Sequence, residues 1–466
     1  MLFIDIDRTS KNSLTKQIYS SIKESILCGT LQPGEKLPSS RELSKYLNVA
    51  RNIVIESYEQ LIAEGYAYSK SGSGTYICEG VQFQMGTRNV HKEQNGKKNQ
   101  KSDLISFRTG IPDLDEIPIK KWAQMYHSIA LDIKAFQMDY QNPFGNYELR
   151  TQISLYLNRV RGACTYPENI LITNGAAQAF NLLCQLVPSD SYALVENPLS
   201  YGILNALESN HVKIKPIRLD ECGMVTSELP DIPPKLIFTT PSHQFPLGVI
   251  LPVGRRIEMI RYAEKHNAYI VEDDYDSEFR FDGNPIQSMQ YLSPERVIYV
   301  GTFSKTLMPA LRLGFMVLPD SICNQMRDAK FVADYHSPNL EQLTLAKFIE
   351  YGFFDSHIRK MRKSYFRKRN HLKDCLNYTF GNHIAISGEE TGLHLVGSYY
   401  DTVFDDTLMH KIENSGIQIS AVNKHYLSKE FYTPYDHSLI FGYGNTTIEE
   451  IEKGVKILSS IIYPHS

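Results

Sequence analysis

A single lysine follows an apolar segment that has the composition of a buried strand, and hydroxyl and guanidinium groups lie close to it in sequence. The segment Val297–Val300 leads into Thr302, Ser304 and Lys305, and Arg312 follows. A lysine amine can form an imine with an aldehyde, while hydroxyls and a guanidinium can neutralise and orient a phosphate. Because apolar residues flank Lys305 on both sides, an ordinary solvated lysine is the less favoured interpretation. The spacing therefore predicts a covalent site for a phosphorylated aldehyde, pyridoxal phosphate.

A second apolar segment ends in a cluster of acids. Asp273 and Tyr275 lie in that cluster, after the strand-like run Tyr269–Val271. Ligand groups gather at the carboxyl ends of strands in open α/β sheets. A carboxylate keeps a pyridine nitrogen protonated and a nearby tyrosine can reach the phenolic oxygen of the ring, so we assign these roles to Asp273 and Tyr275. A Mg²⁺ or Ca²⁺ cluster is the alternative, but the segment lacks the pattern of a calcium loop, and no metal site is predicted.

A third segment has the pattern of a strand, a glycine turn and the start of a helix. Ile170–Thr173 is the strand-like part, and Gly175, Ala176 and Ala177 follow it. Free amides and the positive end of a helix make such a turn an anion site. Turns of this kind are common in α/β domains, but its position before the acidic strand and the lysine favours a phosphate as its ligand.

These three segments, in this order, resemble fold-type I pyridoxal-phosphate enzymes of the aminotransferase class over residues 105–466. Further matching stretches are 140–150, 195–201 and 240–248. The resemblance implies a large α/β domain with a smaller carboxy-terminal lobe, and it places Tyr201 beside the cofactor ring. The family has an asparagine before its Pro-x-Gly turn, where this chain has Phe245. That change removes one contact to the ring oxygen and leaves His243 and Gln244 as candidate replacements.

The first eighty residues have a different pattern. Apolar residues recur at helical spacing over 14–27. Ser39 and Glu42 then form a capping-box signature at the start of a short helix, and a second helix is predicted over 51–64. A glycine-tipped hairpin is predicted over 65–77. This order predicts a small α+β domain of the winged helix-turn-helix type.

This segment resembles the winged helix-turn-helix domain of the GntR regulators, through the run Gly-x-Leu-x-Pro-Gly-x-x-Leu-Pro-Ser-x-Arg-x-Leu that begins at Gly29. The resemblance implies binding of double-stranded DNA. The candidate DNA-binding residues are Ser39, Arg41, Arg51, Asn52 and Gly72. Ala50 stands where a serine or threonine usually begins the recognition helix, which predicts fewer phosphate contacts than usual. Acidic and basic residues roughly balance over residues 1–80, so the assignment depends on the motif and not on charge.

Length and composition are those of an ordinary globular protein. The 466 residues are 42% hydrophobic with a net charge of -3, and no stretch is apolar enough to span a bilayer or has the pattern of a signal peptide. The seven cysteines are scattered, without a Cys-x-x-Cys pair, which indicates reduced thiols in a cytoplasm. We expect a DNA-binding domain at 1–79, a polar flexible linker at 80–104 and an aminotransferase-like domain at 105–466. A change of pattern near Lys330–Asn339 predicts the start of the smaller lobe.

A winged helix joined to an aminotransferase-like domain is the organisation of the MocR/GabR subfamily of GntR regulators, which this chain resembles from end to end. The resemblance implies a homodimer, arranged head to tail, that binds a DNA operator. It also implies a regulator that senses pyridoxal phosphate, or its adduct with a small amino compound, and that controls genes of vitamin B6 or amino-acid metabolism.

The residues that would hold an effector depart from the subfamily pattern. The GABA sensor of the subfamily holds the carboxylate of its ligand with two arginines, whereas this chain has Ile203 at the first position and no arginine in 436–444 at the second. A buried carboxylate without a bidentate partner is costly, so we expect an effector that is held in another way. The alternative function is an aminotransferase that carries a DNA-binding module. The missing arginines argue against its efficient turnover.

Overall fold

The computed structural model describes residues 4–10, 12–80, 104–281, 286–427 and 435–463. Its residue contacts separate two compact units, Met1–Gln100 and Lys101–Ser466. Residues 81–103 of the predicted linker lie outside the described residues. Within the described ranges, no helix combines the length and the apolar composition needed to cross a membrane.

The first unit is a three-helix domain with a two-stranded wing. Its elements are α1 Leu14–Leu27, α2 Ser40–Leu47, α3 Arg51–Ala63, β1 Ala67–Lys70 and β2 Gly74–Ile77. The apolar stripe of α1, formed by Ile18, Ile22 and Ile26, is fully buried in one core with Val54 and Leu61 of α3. The helical spacing seen in the sequence is therefore the spacing that buries this core.

The capping box predicted at the start of α2 is present. Ser39 Oγ accepts a hydrogen bond from Glu42 N at 3.2 Å, and Ser39 N donates to Glu42 Oε2 at 2.9 Å. These bonds satisfy backbone N–H groups that the start of a helix leaves unpaired. By contrast, α3 begins after Ala50, whose side chain provides no cap.

The second unit alternates strands and helices over most of its length. Its helices are α4 Ile119–Asp132, α5 Tyr147–Val160, α6 Ala176–Cys184, α7 Tyr201–Ser209, α8 Val253–His266, α9 Met289–Leu292, α10 Asp320–Asp334, α11 Asn339–Glu350, α12 Phe353–Phe380, α13 Asp406–Asn414 and α14 Ile448–Ile462. Its strands are β3 Ile105–Ser106, β4 Ile170–Thr173, β5 Tyr192–Asn197, β6 Lys213–Asp220, β7 Gly223–Met224, β8 Leu236–Thr239, β9 Tyr269–Asp274, β10 Val297–Thr302, β11 Gly314–Val317, β12 Ile384–Ser387, β13 His394–Tyr399, β14 Ile417–Gln418, β15 Ser420–Ala421 and β16 Ser438–Gly442.

An eight-stranded sheet forms the centre of this unit, with the order β4-β11-β10-β9-β8-β5-β6-β7. Strands β6, β5, β8, β9 and β10 are parallel, and β11 is antiparallel to both β10 and β4. The central strands are buried at nearly every residue, which is typical of a sheet covered by helices on both faces. Asp273 of β9 lies opposite Val300 of β10. The carboxyl ends of these two strands therefore meet at one edge of the sheet.

A second sheet forms the smaller lobe. Strands β12, β13, β16 and β15 pair antiparallel in that order. Tyr365 and Leu372 of α12 and Leu458 of α14 are buried in the core of this lobe. The chain before the central sheet also joins this lobe, because β3 pairs with β14, with Ile105 opposite Ile417.

The smaller lobe begins later than the sequence pattern predicts. Lys330–Asn339 contains the end of α10 and a turn, but α11 after that turn packs against α4 and α5. Leu345 and Phe348 of α11 share one core with Trp122 and Leu149. The turn is therefore a bend within the larger lobe, and the smaller lobe starts within α12.

Candidate functional site

Lys305 lies in the turn after β10, in the wall of a cavity of about 410 Å³. The predicted cofactor residues that line this cavity are Ala176, Ala177, Tyr201, Asp273, Tyr275, Thr302, Ser304, Lys305 and Arg312. No described residue forms a hydrogen bond with the Lys305 amine, and a Cβ at Gly110 would lie 2.8 Å from its nitrogen. Burial lowers the pKa of the Lys305 amine, although Asp276 and Asp273 act in the opposite direction. The lowered pKa favours the neutral amine, which is the form that attacks an aldehyde.

The three successive acids at the end of β9 have different environments, because the side chains of a strand alternate between its two faces. Glu272 accepts hydrogen bonds at 3.0 Å from two backbone N–H groups of α9. Asp274 pairs with Arg161 at 2.8 Å. Asp273 instead lines the cavity, and no described residue forms a hydrogen bond with its carboxylate. One acid of the three is thus available to a ligand, and the other two are structural.

The environment of Asp273 favours a cationic ligand group. Burial raises the pKa of the Asp273 carboxyl to about 8, and the negative charges of Asp274 and Asp276 act in the same direction. A cation placed against this carboxyl group would lower its pKa and stabilise the ionised form. A protonated ring nitrogen is such a cation.

A guanidinium and the start of a helix meet at the cavity. Gly175 has a φ of 82° and caps α6. Nη2 of Arg312 donates a hydrogen bond to Asn174 O at 2.8 Å, and a Cβ at Gly175 would lie 2.9 Å from this nitrogen. Glycine is therefore required both for the backbone conformation and for the close approach of the guanidinium. Together with the two hydroxyls that precede Lys305, this arrangement has the donors and the positive charge that a phosphate needs.

A buried network supports this turn, and the sequence analysis missed it. Lys330 Nζ donates to Asp334 Oδ2 at 2.9 Å and to Gln178 Oε1 at 2.7 Å. Asp334 Oδ2 also accepts from the side-chain amides of Asn174, at 2.6 Å, and of Gln178, at 2.8 Å. The network ties the glycine turn to α10 and so holds the turn in place. The i,i+4 spacing of Lys330 and Asp334 is a local signal of their ion pair, but the contacts with Asn174 and Gln178 join distant segments.

His243, which the sequence suggests as a cofactor residue, lies behind the cavity wall. Its Nδ1 lies 3.0 Å from Asp276 Oδ1, and Tyr275 Oη donates to the backbone carbonyl of His243 at 2.9 Å. His243 therefore positions Tyr275, which does line the cavity. Gln244 is buried, and its amide group is bonded to backbone groups on both sides. Neither residue reaches the cavity as a replacement for the missing asparagine.

Four rings form another part of the cavity lining, which we call the aromatic wall: Tyr201, Phe245, His394 and His425. The ring centroids of Tyr201 and His425 are 4.7 Å apart. Phe245 directs an edge-to-face contact to His425 at 5.0 Å and to His394 at 5.4 Å. Tyr201 thus lines the cavity, as the family resemblance implies. The two histidines carry no motif, and the sequence analysis missed them.

The GABA sensor of the subfamily has carboxylate-binding arginines at two positions. In this chain neither position lines the cavity. Ile203 is buried in the core that the central sheet shares with α6 and α7. At the second position, β16 is fully buried, and His437 Nδ1 is bonded to Thr402 O at 2.7 Å. Among the described residues, Lys305 and Arg312 provide the cationic groups of the cavity lining.

The predicted DNA-binding residues of the first unit come from the helix-turn-helix and the wing. The side chains of Arg41, Arg51 and Asn52 are exposed. Gly72 lies between the two wing strands with a φ of 72°, a conformation that favours glycine. Ser39 is exposed, but its hydroxyl oxygen is engaged in the capping box.

Two acids, Glu56 of α3 and Glu64 directly after it, are engaged with α1. Glu64 pairs with Lys23 at 3.1 Å, and Glu56 accepts a hydrogen bond from Thr15 at 3.2 Å. The near-neutral charge of this unit is therefore distributed unevenly. Glu56 and Glu64 face α1, whereas Glu59 of α3 is exposed on the side of Ser39 and Ser40, and the arginines of α2 and α3 are exposed as well.

The two units define a class of protein in which a winged helix-turn-helix domain is fused to an aminotransferase fold. Bacterial regulatory proteins of the gntR family match residues 14–77, and aminotransferases of class I and II match residues 102–431. The chain is similar to Pyrococcus horikoshii kynurenine aminotransferase, with a TM-score of 0.71 and 24% identity over 78% of this chain and 91% of that chain. This structural likeness confirms the predicted fold.

Several relatives match both units together. The uncharacterized HTH-type transcriptional regulator YhdI of Bacillus subtilis is 34% identical over 98% of each chain. The probable rhizopine catabolism regulatory protein MocR of Rhizobium meliloti is 30% identical over 98% of this chain and 95% of its own. The pyridoxine biosynthesis transcriptional regulator PdxR of Corynebacterium glutamicum is 29% identical over 93% of this chain and 92% of its own. The chain belongs to the MocR-type family of GntR transcriptional regulators.

Proposed function

We propose that this regulator binds pyridoxal 5′-phosphate at Lys305 and senses that cofactor, or its adduct with a small amino compound. The observation that carries the proposal is the pair of ionisable groups, the Lys305 amine and the Asp273 carboxyl, that line one cavity without a hydrogen-bond partner among the described residues. Ionisable groups in buried positions are costly unless they are paired, so their retention implies a ligand that pairs with them. The residues fit the cofactor, because an amine, a carboxyl group and an anion site occur together.

Each residue of the cavity then has a separate role. The bound cofactor supplies an aldehyde that reacts with amines and a ring that accepts electrons. Lys305 provides the amine for attachment, and Asp273 holds a proton on the ring nitrogen. Tyr275 would donate to the ring oxygen by releasing the hydrogen bond that its hydroxyl donates to His243 O at 2.9 Å, and His243 positions Tyr275. Arg312 and the first amides of α6 hold the phosphate.

The first unit is proposed to bind a double-stranded DNA operator. Arg41, Arg51 and Asn52 would contact the DNA from the helix-turn-helix, and Gly72 would let the wing tip enter the minor groove. A homodimer arranged head to tail would present two such units to two half-sites. An effector changes DNA binding only to the extent that it binds one arrangement of the dimer more tightly than another. The name of the Corynebacterium relative refers to pyridoxine biosynthesis, which supports vitamin B6 metabolism as the regulated process.

A Lys305→Ala variant tests the attachment of the cofactor. The parent chain mixed with pyridoxal phosphate is expected to show a visible absorbance band and, after borohydride reduction, to gain the mass of the cofactor. The variant is expected to lose both, because no other amine lines the cavity in the part of the chain described here. Lys121→Ala, an exposed lysine of α4, is the control and should keep both. A full mass gain in the Lys305→Ala protein would reject the proposal.

Binding to the upstream promoter fragment tests the other half of the proposal. Arg51→Ala is expected to weaken DNA binding by about tenfold without a change in the visible band. It removes the proposed contact to DNA and the hydrogen bond from Arg51 Nε to Ser40 Oγ at 3.1 Å, both of which lie in the first unit. Lys16→Ala, an exposed lysine of α1, is the control. The cofactor should alter the DNA affinity of the parent but not of Lys305→Ala. Rapid turnover of an amino acid with a keto-acid acceptor, without any effect on DNA binding, would favour the aminotransferase instead.

A further inference from the structure

The hydrogen-bonding state of the two histidines in the aromatic wall is defined by their backbone partners. His394 Nε2 lies 3.0 Å from Pro246 O, and His425 Nδ1 lies 3.2 Å from Leu199 O. A carbonyl oxygen can only accept, so these two ring nitrogens carry the protons. The other nitrogen of each neutral ring, Nδ1 of His394 and Nε2 of His425, is then a hydrogen-bond acceptor.

Both rings are neutral near pH 7. Burial lowers the pKa of His394 well below its ordinary value, and the nearby His243 acts in the same direction. Burial also lowers the pKa of His425 to about 4. Because neither ring is positively charged under these conditions, neither can replace an arginine as the partner of a carboxylate.

The two acceptor nitrogens are not used within the described part of the chain. No described backbone or side-chain group donates a hydrogen bond to Nδ1 of His394 or Nε2 of His425. The rings beside them do not supply a donor either. Nε2 of His243, whose ring centroid lies 4.5 Å from that of His394, forms no hydrogen bond with a described residue. Phe245 is apolar, and the hydroxyl of Tyr201 donates to Lys424 O at 2.6 Å. A ligand in contact with the aromatic wall therefore meets acceptors that need donors.

We propose that the aromatic wall selects a small amine that carries a hydroxyl group and no carboxylate. This inference rests on the proposed sensing of a cofactor adduct, and it names the chemical class of the amino compound. A hydroxyl donates a hydrogen bond to His394 or His425, whereas a carboxylate has only acceptors to place against two acceptors. An acceptor that is buried without a donor costs the desolvation of that group. The wall thereby disfavours amino acids and favours amino alcohols.

Calorimetric titration of the cofactor-loaded full chain with two matched probes tests the proposal. The probes are 3-aminopropan-1-ol and β-alanine, which have the same carbon chain and differ in the hydroxyl and the carboxylate. The amino alcohol is expected to bind about tenfold or more tightly than the amino acid, the effect of one buried group left without its hydrogen-bond partner. Equal binding, or tighter binding of β-alanine, overturns the proposal without any need for a variant.

Two variants test whether the histidines are responsible. His394→Phe and His425→Phe keep an aromatic ring and remove the acceptor, so each is expected to weaken binding of the amino alcohol by about tenfold. His437→Phe is the matched control, because this histidine also bonds to a carbonyl but does not line the cavity. Undiminished selectivity in both variants overturns the proposal. Failure of the proposed function would look different, since the parent chain would then lack the cofactor band itself.

Discussion

The proposed DNA-binding surface and the proposed cofactor cavity are built in opposite ways. The exposed residues Arg41, Arg51 and Asn52 come from one short segment, and a local capping box supports them. The cavity is lined by segments that extend from Thr109 to His425, and buried ion pairs lie around it. Exposed side chains contribute little to stability, whereas buried ion pairs cannot lose one member cheaply. Substitutions at the surface should therefore change binding alone, and those around the cavity should change binding and stability together.

The largest effect is expected from Arg161→Met. Arg161 and Asp274 pair at 2.8 Å, and their side chains are 3% and 2% exposed. The variant leaves Asp274 buried without its cation, which should lower the free energy of unfolding by about 3–5 kcal/mol. Urea denaturation followed by the visible cofactor band measures this loss in the second unit.

A neighbouring pair on the same helix end provides the control for that experiment. Arg159 and Asp355 are 2.9 Å apart, but the arginine side chain is 57% exposed. Arg159→Met is expected to cost less than about 1 kcal/mol, because a solvent-exposed pair gains little. Equal losses of unfolding free energy in the two variants would mean that burial does not make the ion pairs around the cavity more important for stability than those at the surface.

A smaller effect, on cofactor affinity, is expected from Asp334→Asn. The variant removes the charge that pairs with the buried Lys330 and loosens the bonds to Asn174 and Gln178. We expect affinity for pyridoxal phosphate to fall about tenfold, which is about 1.4 kcal/mol, as measured by absorbance titration. Asp328→Asn, on the exposed face of α10, should leave affinity unchanged. A lower melting temperature with undiminished affinity would show that the network is structural only.

The features that could be predicted from the sequence are those whose partners lie within a few residues. The Ser39–Glu42 capping box and the Gly175 turn are local, so their geometry follows from residue types at fixed spacing. Lys305 was found because an apolar strand leads directly to it. The sequence assigns Asp273, and not Glu272 or Asp274, to the cofactor ring because of the role that the ring nitrogen requires. The alternation of side chains along a strand explains why Asp273 lines the cavity and its two neighbours do not.

The features that could not be predicted depend on packing between distant segments. His394 and His425 look like ordinary core histidines in the sequence, because only the fold brings them to one cavity. The spacing of Lys330 and Asp334 indicates an i,i+4 ion pair on α10, but only the fold brings Gln178 to Lys330 and buries the lysine. The break between α10 and α11 has the composition of a lobe boundary, but the apolar face of α11 was needed to show that the larger lobe continues past it.

The ionisation of Asp273 lowers the stability of the cofactor-free protein, an effect that the exposed residues of the first unit do not have. The pKa of Asp273 is raised from 3.8 to about 8 in the folded chain. The folded state then keeps a proton that the unfolded state loses, so this group lowers stability as pH rises from about 4 to about 8. Asp273→Asn cannot ionise and is expected to melt a few degrees higher than the cofactor-free parent at pH 8, with a smaller difference at pH 5. Calorimetry at both pH values measures this, and an equal difference would contradict it.

The smallest effect is expected from Ser39→Ala in the first unit. Loss of the capping box should cost about 1 kcal/mol, seen as faster hydrogen exchange of backbone amides within residues 14–77. Ser44→Ala lies inside α2, where alanine is the better helix former, so it should not accelerate exchange. Exchange in the second unit and the cofactor band should stay unchanged in both variants, because the cap supports only its own helix. Faster exchange around Lys305 in Ser39→Ala would instead show that the two units share stability, and the contrast between a local surface and a distributed cavity would no longer hold.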